Sequence, residues 1–317
     1  MNGEIKRVIV TGGTGVTGNA LVRYLLKQDI EVFALVRPDS FRKKYLPEDD
    51  RLNVLDCGMD DYKSIDKRLD AGAYDAFFHL SWDGSTGKNK VTNRNAYHMQ
   101  NKNVSYALDA VELCRRLGCK TFIMTGTQAE YGRYDRPVRE DDNKNPENAY
   151  GMAKLCAEGM TRLMCKEYGI RHIWPILFSV YGPNDATMSL IVTTVRGLLK
   201  GKKLSFTEGV QKWDYLYSYD AAKALYLLAV YGKDGEAYNV AFGKSIPLKE
   251  YILKIYEELA PGYATVFGEI EYAENPLMYL GADTTKLCKT TGFVPEFSFE
   301  RGIGEIADAI KSERFAG

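Results

Sequence analysis

The chain has 317 residues, 45% of them apolar and 26% charged, and its 42 basic and 42 acidic side chains give a formal charge of zero. That length buries a large core and suits one large α/β unit or two interleaved lobes. The balanced charge leaves no basic surplus for nucleic acid or an anionic membrane and points to a small-molecule partner.

From Met1 the chain passes through Lys6-Arg7 straight into a strand-like run, without a long apolar segment or a small-residue cleavage site, so a cytoplasmic protein is expected. Ile5 to Val10 is β-branched and is followed by Thr11-Gly12-Gly13-Thr14-Gly15-Val16-Thr17-Gly18 and the helical pattern Ala20-Leu21-Tyr24-Leu25-Leu26. Similar runs at Glu31–Val36, Leu52–Leu55, Ala76–Leu80 and Thr121–Thr125 alternate with helix-like segments, most clearly Val104–Leu117. A helix through Tyr150 and Lys154 to about Tyr168 precedes another strand at Ile170–Phe178. This alternation predicts a doubly wound parallel sheet with helices on both faces. Beyond Gly182 the pattern is mixed, with helices expected at Met188–Leu199, Ala221–Tyr231, Leu248–Leu259 and Phe299–Lys311. With no repeat or linker in view, residues 1–178 read as the cofactor domain, to which a segment near 210–242 can return. Residues 179–317 read mainly as a smaller mixed α/β substrate lobe, with a cleft between the two. The six cysteines (Cys57, Cys114, Cys119, Cys156, Cys165, Cys288) form no Cys-x-x-Cys pair and the three histidines are scattered, so reduced thiols and no metal are expected.

In Gly12-x-x-Gly15-x-x-Gly18 the first glycine permits a tight turn, the second lets main chain approach a pyrophosphate, and the third lets helix pack on strand. The helix start adds N–H donors and the positive end of its dipole. Lying between the first strand and a helix, the turn reads as a Rossmann dinucleotide site, with Thr14 and Val16 among its lining residues. The second strand ends Ala34-Leu35-Val36-Arg37-Pro38-Asp39-Ser40. Leu35 and Val36 cannot hold a ribose diol, whereas Arg37, assisted by Ser40 or Lys43, can meet a 2′-phosphate, so NADP(H) is favoured over NAD(H). Asp39 turned inward would serve NAD instead, and Arg37 as a solvated loop residue would serve neither. Asp56, beside Cys57, is placed either to touch the adenine edge or to cap a strand end.

Tyr150-Gly151-Met152-Ala153-Lys154 puts a phenol and an ammonium on one helix face, where the cation favours the phenolate. Among 22 tyrosines such a spacing also arises by chance, and a core tyrosine is the alternative. Downstream of the glycine turn and of Thr127, the pair reads as an acid/base device.

Together these residues resemble the extended short-chain dehydrogenase/reductase superfamily, in its nucleotide-sugar epimerase, dehydratase and ketoreductase branch. Thr11–Gly18 is like that family's first turn, His79-Leu80-Ser81 its fourth-strand end and Asn103-Val104 its mid-helix Asn-Val. Thr127-Gln128-Ala129-Glu130-Tyr131-Gly132 is similar to its Ser/Thr-x-x-x-Tyr-Gly segment, and Tyr150/Lys154 to its catalytic pair. Val180-Tyr181-Gly182-Pro183, Trp213–Tyr217 with Asp220, Tyr238-Asn239-Val240 and Gly292-Phe293-x-Pro295 follow in the expected order, so the likeness spans nearly the whole chain. The resemblance implies hydride transfer at a sugar carbon. Tyr150 would exchange a proton with the sugar oxygen, Thr127 (or Thr125) would hydrogen-bond that oxygen, and Lys154 would lower the phenol's pKa and hold the nicotinamide ribose. Leu80, Ser81 and Thr125 would line the cofactor; Trp82, Gln128 and Ser179 would line the substrate. Paired helices near Val104–Leu117 and Ala149–Tyr168 would make a homodimer.

Departures from the family narrow the reaction. Its 4,6-dehydratases follow the Thr directly with Asp-Glu, which serve as acid and base for loss of water; here Gln128-Ala129 stand there, and Glu130 one residue on projects differently. Dehydration is therefore disfavoured. Arg37 tilts the choice between epimerase and reductase toward an NADPH-dependent reduction of a 4-keto sugar nucleotide, with a C4 or C3/C5 epimerase as the alternative. Ile176-Leu177-Phe178-Ser179 and Asn275-Pro276-Leu277-Met278-Tyr279 lack the arginines many relatives carry there, leaving Lys212 or Arg196 to neutralise a diphosphate and Trp213 to stack on a base or fill the core. Missing arginines also leave room for a reductase of a non-sugar ketone, and a non-catalytic dinucleotide sensor lies outside the enzyme class altogether.

Overall fold

Successive side chains of the central strands point to opposite faces, and both faces are apolar. In β1 (Arg7–Thr11), β4 (Ala76–His79), β5 (Thr121–Met124) and β7 (Arg171–Leu177), the residues Val8, Val10, Ala76, Phe78, Ile123 and Ile173 face one layer, while Ile9, Phe77, Phe122 and Trp174 face the other. A sheet buried on both sides must be covered by helices twice. On the first side lie α1 (Val16–Lys27), through Leu21, Val22 and Leu25, and α5 (Ser218–Tyr231), through Ala221, Leu225 and Leu228. On the second lie α2 (Tyr97–Arg116), through Ala107, Ala110 and Val111, and α3 (Ala149–Tyr168), through Ala153, Ala157 and Cys165. The computed structural model describes residues 5–70, 74–84, 93–185 and 189–315.

With β2 (Glu31–Val36), β3 (Leu52–Asp56) and β11 (Glu236–Val240), the strand order is β11-β7-β5-β4-β1-β2-β3, every pair parallel, and the two-residue β6 (Gly126–Thr127) also pairs with β7. This is the doubly wound Rossmann order, whose direction reverses between β1 and β4 and opens a crevice at their carboxyl ends. The smaller part is mixed. β8 (Ser179–Tyr181) pairs with β10 (Tyr215–Tyr217), and β9 (Lys212–Trp213) lies between β12 (Ile246–Pro247) and β13 (Tyr279–Leu280). Around them α4 (Leu190–Leu199), α6 (Leu248–Leu259) and α8 (Phe299–Phe315) bury Val192, Val195, Ile255, Ile303 and Ile306 against Tyr181 and Tyr217, while α7 (Thr285–Thr291) packs Leu287 under α5.

The helix expected from Val104 begins at Tyr97, because its first turns are exposed and polar (His98, Asn101, Lys102) and break the apolar period. Strands β6, β8, β9, β10, β12 and β13 are two or three residues long, too short to carry a period. Met188, the expected start of α4, lies outside the described residues.

Candidate active site

At the cofactor end the main chain makes the shape. Gly12 has φ +71°, and a Cβ there would lie 2.8 Å from the Leu80 carbonyl carbon; a Cβ on Gly18 would lie 2.1 Å from the Gly12 oxygen. At Gly15, which precedes α1, nothing is closer than 3.5 Å to the place of a Cβ, and no side chain caps the helix, so its first N–H groups face the turn. Thr11 Oγ1 joins this turn to the end of β4, accepting from Leu80 N at 3.2 Å and Ser81 N at 3.3 Å and bonding His79 Nδ1 at 2.9 Å. Turn, open approach and uncapped helix fit a dinucleotide's pyrophosphate. Thr14, Val16, Leu80 and Ser81 lie half-buried around it.

At the end of β2, Arg37 and Asp39 are both exposed, and Ser40 Oγ reaches Thr14 Oγ1 at 3.4 Å. Lys43 donates to the Pro38 carbonyl and pairs with Asp56, whose backbone oxygen takes Arg68. Cys57 is buried, and burial pushes its thiol up to about 12. Arg37 carries no ion pair among the described residues, while Lys43 is already neutralised.

Side chains from several segments meet at the candidate catalytic end. Asn148 starts α3 by accepting from Gly151 N at 2.9 Å, which places Tyr150 and Lys154 on the helix face turned toward the crevice. Thr127 stands close enough to the Tyr150 phenol to influence it: burial raises the phenol's pKa, and Thr127 and the nearby Arg94 charge pull it back. Lys154 Nζ donates to the Thr125 carbonyl at 2.7 Å and lies 4.0 Å from the centre of the Trp82 ring. Its burial lowers the ammonium pKa to about 7. Of the two threonines, then, Thr127 has its hydroxyl beside the phenol, where it accepts from Ala129 N, and Thr125 gives its carbonyl to the lysine. Pro175 has no N–H and sits in β7 at the break between its pairing with β5 and with β6; Thr125 lies opposite that break. Trp82 stands edge-on to Tyr150, ring centres 6.2 Å apart, and is fixed by its indole N–H to Gln100 at 2.8 Å.

Glu130 is fully buried. Its carboxylate accepts from Thr127 N (2.8 Å), Trp174 Nε1 (3.3 Å) and Lys144 (2.9 Å), and Thr127 and Glu130 form a capping box. Desolvation raises its pKa and Lys144 opposes the rise. Gln128 is half-buried and Ala129 buried. No carboxylate occupies 128 or 129, and the one at 130 is turned into the core.

On the substrate side, Trp213 donates to Ser179 Oγ at 2.7 Å, and Asp214 beside it accepts from Phe242 N and Gly243 N, both at 2.9 Å, tying β9 to the end of β11. Lys212 is exposed. Arg196 lines a small cavity of about 70 Å³ with Phe41, Arg42, Tyr45 and Asp185, which none of Lys212, Trp213 and Ser179 lines.

A model of the NAD dependent epimerase/dehydratase family matches residues 8–241. The chain belongs to that family. It is similar to a dTDP-glucose 4,6-dehydratase of Salmonella typhimurium, 24% identical over 94% of this chain and 90% of that one. An uncharacterized UDP-glucose epimerase of Bacillus subtilis is 25% identical over 95% of this chain and 97% of the other. Among solved structures, a UDP-N-acetylglucosamine 4-epimerase from Methanobrevibacter ruminantium M1 in complex with UDP-N-acetylmuramic acid shares the fold, with TM-score 0.85 and 23% identity over 98% of this chain and 100% of that one. This epimerase/dehydratase chain is thus an extended short-chain dehydrogenase/reductase, an enzyme class that works with an NAD(P)-type cofactor. Among the described residues no helix is long and apolar enough to cross a membrane.

Four residues at its catalytic end escaped the sequence: Arg94, Gln100, Lys144 and Trp174. Arg94 lies in a connection with no periodic signal, and Trp174 reads as an ordinary core residue of a strand. The pairing of Lys144 with Glu130 crosses a loop whose path sequence does not reveal.

Proposed function

We propose that this chain reduces a 4-keto sugar nucleotide, with NADPH favoured as the reductant. What carries the reading is the grouping of Tyr150 with buried Thr127 and Lys154, Lys154 being fixed to the Thr125 carbonyl, with no carboxylate at 128 or 129. When bound, the nicotinamide supplies the hydride. Thr127 holds the carbonyl oxygen, Tyr150 gives it a proton, and the positive charges of Lys154 and Arg94 stabilise the phenolate left behind. Burial keeps the Tyr150 proton on at rest, which suits a proton donor better than a base. Gly12, Gly15 and Gly18 would hold the pyrophosphate, with Thr14, Val16, Leu80, Ser81 and Cys57 around the dinucleotide. Arg37 and Ser40 would take the 2′-phosphate, and Asp56 is committed to Lys43 unless the cofactor displaces it. Trp82, Gln128, Ser179, Lys212 and Trp213 would face the nucleotide sugar. Water loss lacks its acid and base, despite the dehydratases among the relatives.

A C4 epimerase is the second reading, favoured by the epimerases among the relatives. Incubation with NADPH and a panel of 4-keto-6-deoxy sugar nucleotides separates the two: net NADPH oxidation is expected, and sugar interconversion without oxidation sinks the reductase. The exposed stripe Met152, Cys156, Met160 and Leu163 on α3 supports a homodimer through the α2/α3 face. Leu163→Glu should yield a monomer by light scattering.

A further inference from the structure

The segment that leads into α2 holds the start of α3 twice, once at Tyr150 itself. The Arg94 carbonyl accepts from Tyr150 N at 2.8 Å and Asn95 Oδ1 accepts from Ala149 N at 3.0 Å. These are the first two N–H groups of α3, which have no partner inside the helix, and Asn148 takes the third. Asn93 anchors the segment from the other side: its carbonyl accepts from Ala96 N at 3.1 Å and from Gln100 Nε2 at 2.8 Å, and Gln100 also holds Trp82. The main chain of Arg94 is therefore fixed relative to the Tyr150 ring.

The side chain is not. The Arg94 guanidinium carbon lies 5.9 Å from the centre of the Tyr150 ring, the residue is half-buried, and among the described residues its five N–H donors meet no carboxylate or carbonyl. Neighbouring cations are spent. Lys144 is on Glu130, Lys154 on the Thr125 carbonyl, and Arg133 is forked onto Glu147 at 3.0 and 2.9 Å and onto the carbonyls of Asn275 and Pro276. A molecule seated on the Tyr150 hydroxyl would strip water from the guanidinium, and a charged donor left without acceptors opposes binding. A planar fork is matched by two oxygens of one anion.

We infer that Arg94 is a substrate-anchoring residue whose guanidinium takes an anionic oxygen group carried by the substrate beside the reacting carbon. The inference rests on the nucleotide-sugar reading above. In that class the group is either a carboxylate on the sugar or the diphosphate that links sugar to nucleoside.

Titration calorimetry on the cofactor-loaded protein tests this, with UDP, dTDP, their glucose conjugates and UDP-glucuronic acid as probes against wild type, Arg94→Ala and Arg94→Lys. Loss of the Arg94 side chain should weaken at least one probe by about tenfold or more, with partial recovery in the lysine variant, because ammonium restores charge but not the fork. Loss confined to UDP-glucuronic acid assigns the sugar carboxylate; equal loss across all probes assigns the diphosphate. Affinities within about twofold of wild type throughout overturn the inference. A wild-type protein that binds cofactor but none of the five probes overturns the nucleotide-sugar reading, and the inference with it. Arg94→Ala keeps the carbonyl that caps Tyr150, so its cofactor affinity and melting temperature should match wild type; a drop in both with no probe-specific change marks a purely structural arginine and refutes the assignment.

Discussion

Around Gly12 and Gly18 the crevice is shaped by main chain, whereas around Tyr150 it is assembled from side chains that arrive from β6, α3 and the segments flanking β4 and α2. At the first end a Cβ has no room, and the donors offered are N–H groups of one turn and one helix start. At the second end each group depends on a neighbour: Thr127 on Glu130, Trp82 on Gln100, Lys154 on the Thr125 carbonyl. A site made of main chain tolerates change poorly but needs few residues. A site made of side chains can keep its shape and lose its chemistry in a single substitution.

The largest effect expected from that contrast is chemical. Tyr150→Phe removes the proposed proton donor and leaves the ring against Trp82, so turnover should fall by about a thousandfold or more while cofactor affinity stays within about twofold. Isothermal titration beside steady-state kinetics reads both; retained turnover would remove Tyr150 from the chemistry. Gly18→Ala should do the reverse. Its methyl would meet the Gly12 carbonyl oxygen, so the turn must deform, and cofactor affinity should drop by at least about 100-fold together with a lower melting temperature. Wild-type affinity in that variant would mean that the turn is not the pyrophosphate site.

The same contrast decides what the sequence could say. Residues 11–18 carry the cofactor turn in one unbroken stretch, and short β-branched runs alternating with helical patterns predict the sheet, so β1 was readable within two residues, while the apolar pattern of α1 begins at Ala20, four residues inside the helix. Tyr150 and Lys154 were readable because four positions on one helix make a local signature. Arg94 was not, since only the fold brings residue 94 to the first turn of a helix that starts at Ala149. Glu130 was expected to project away from the dehydratase positions, but its partners were not legible: the sheet carries Trp174 to it from 44 positions away. The pairing of Lys43 with Asp56 was invisible for the same reason, as it joins the turn Phe41–Tyr45 after β2 to the end of β3, which the sheet brings together.

That pair bears on the next effect in size. If Arg37 holds a 2′-phosphate, Arg37→Ala should weaken NADP by about tenfold and NAD by less than about twofold, measured by fluorescence titration. Asp56→Asn would free Lys43 from its carboxylate and should raise NADP affinity by a few-fold, sharpening the same preference. Equal changes for both dinucleotides would make Arg37 a solvated loop residue.

Lys154 stands where the two kinds of construction meet, and its effect is the smallest and the most specific. Buried against Trp82, its ammonium is held down to about 7 in the folded chain, against about 10.5 when unfolded. Below pH 7 both states are protonated and the group adds no pH dependence. Between pH 7 and about 10.5 the unfolded chain keeps the proton that the folded chain has released, so the unfolded state binds more protons and stability rises with pH. The cofactor-free wild type should therefore gain stability relative to Lys154→Met as pH climbs from 7 to 10, by a few degrees in melting temperature, with no relative change from pH 5.5 to 6.5. Saturating cofactor should flatten that slope, because a ribose hydroxyl within reach of the ammonium gives the charged form a partner. A slope that survives saturation would separate Lys154 from the cofactor and leave it as a lysine that only braces the end of β5.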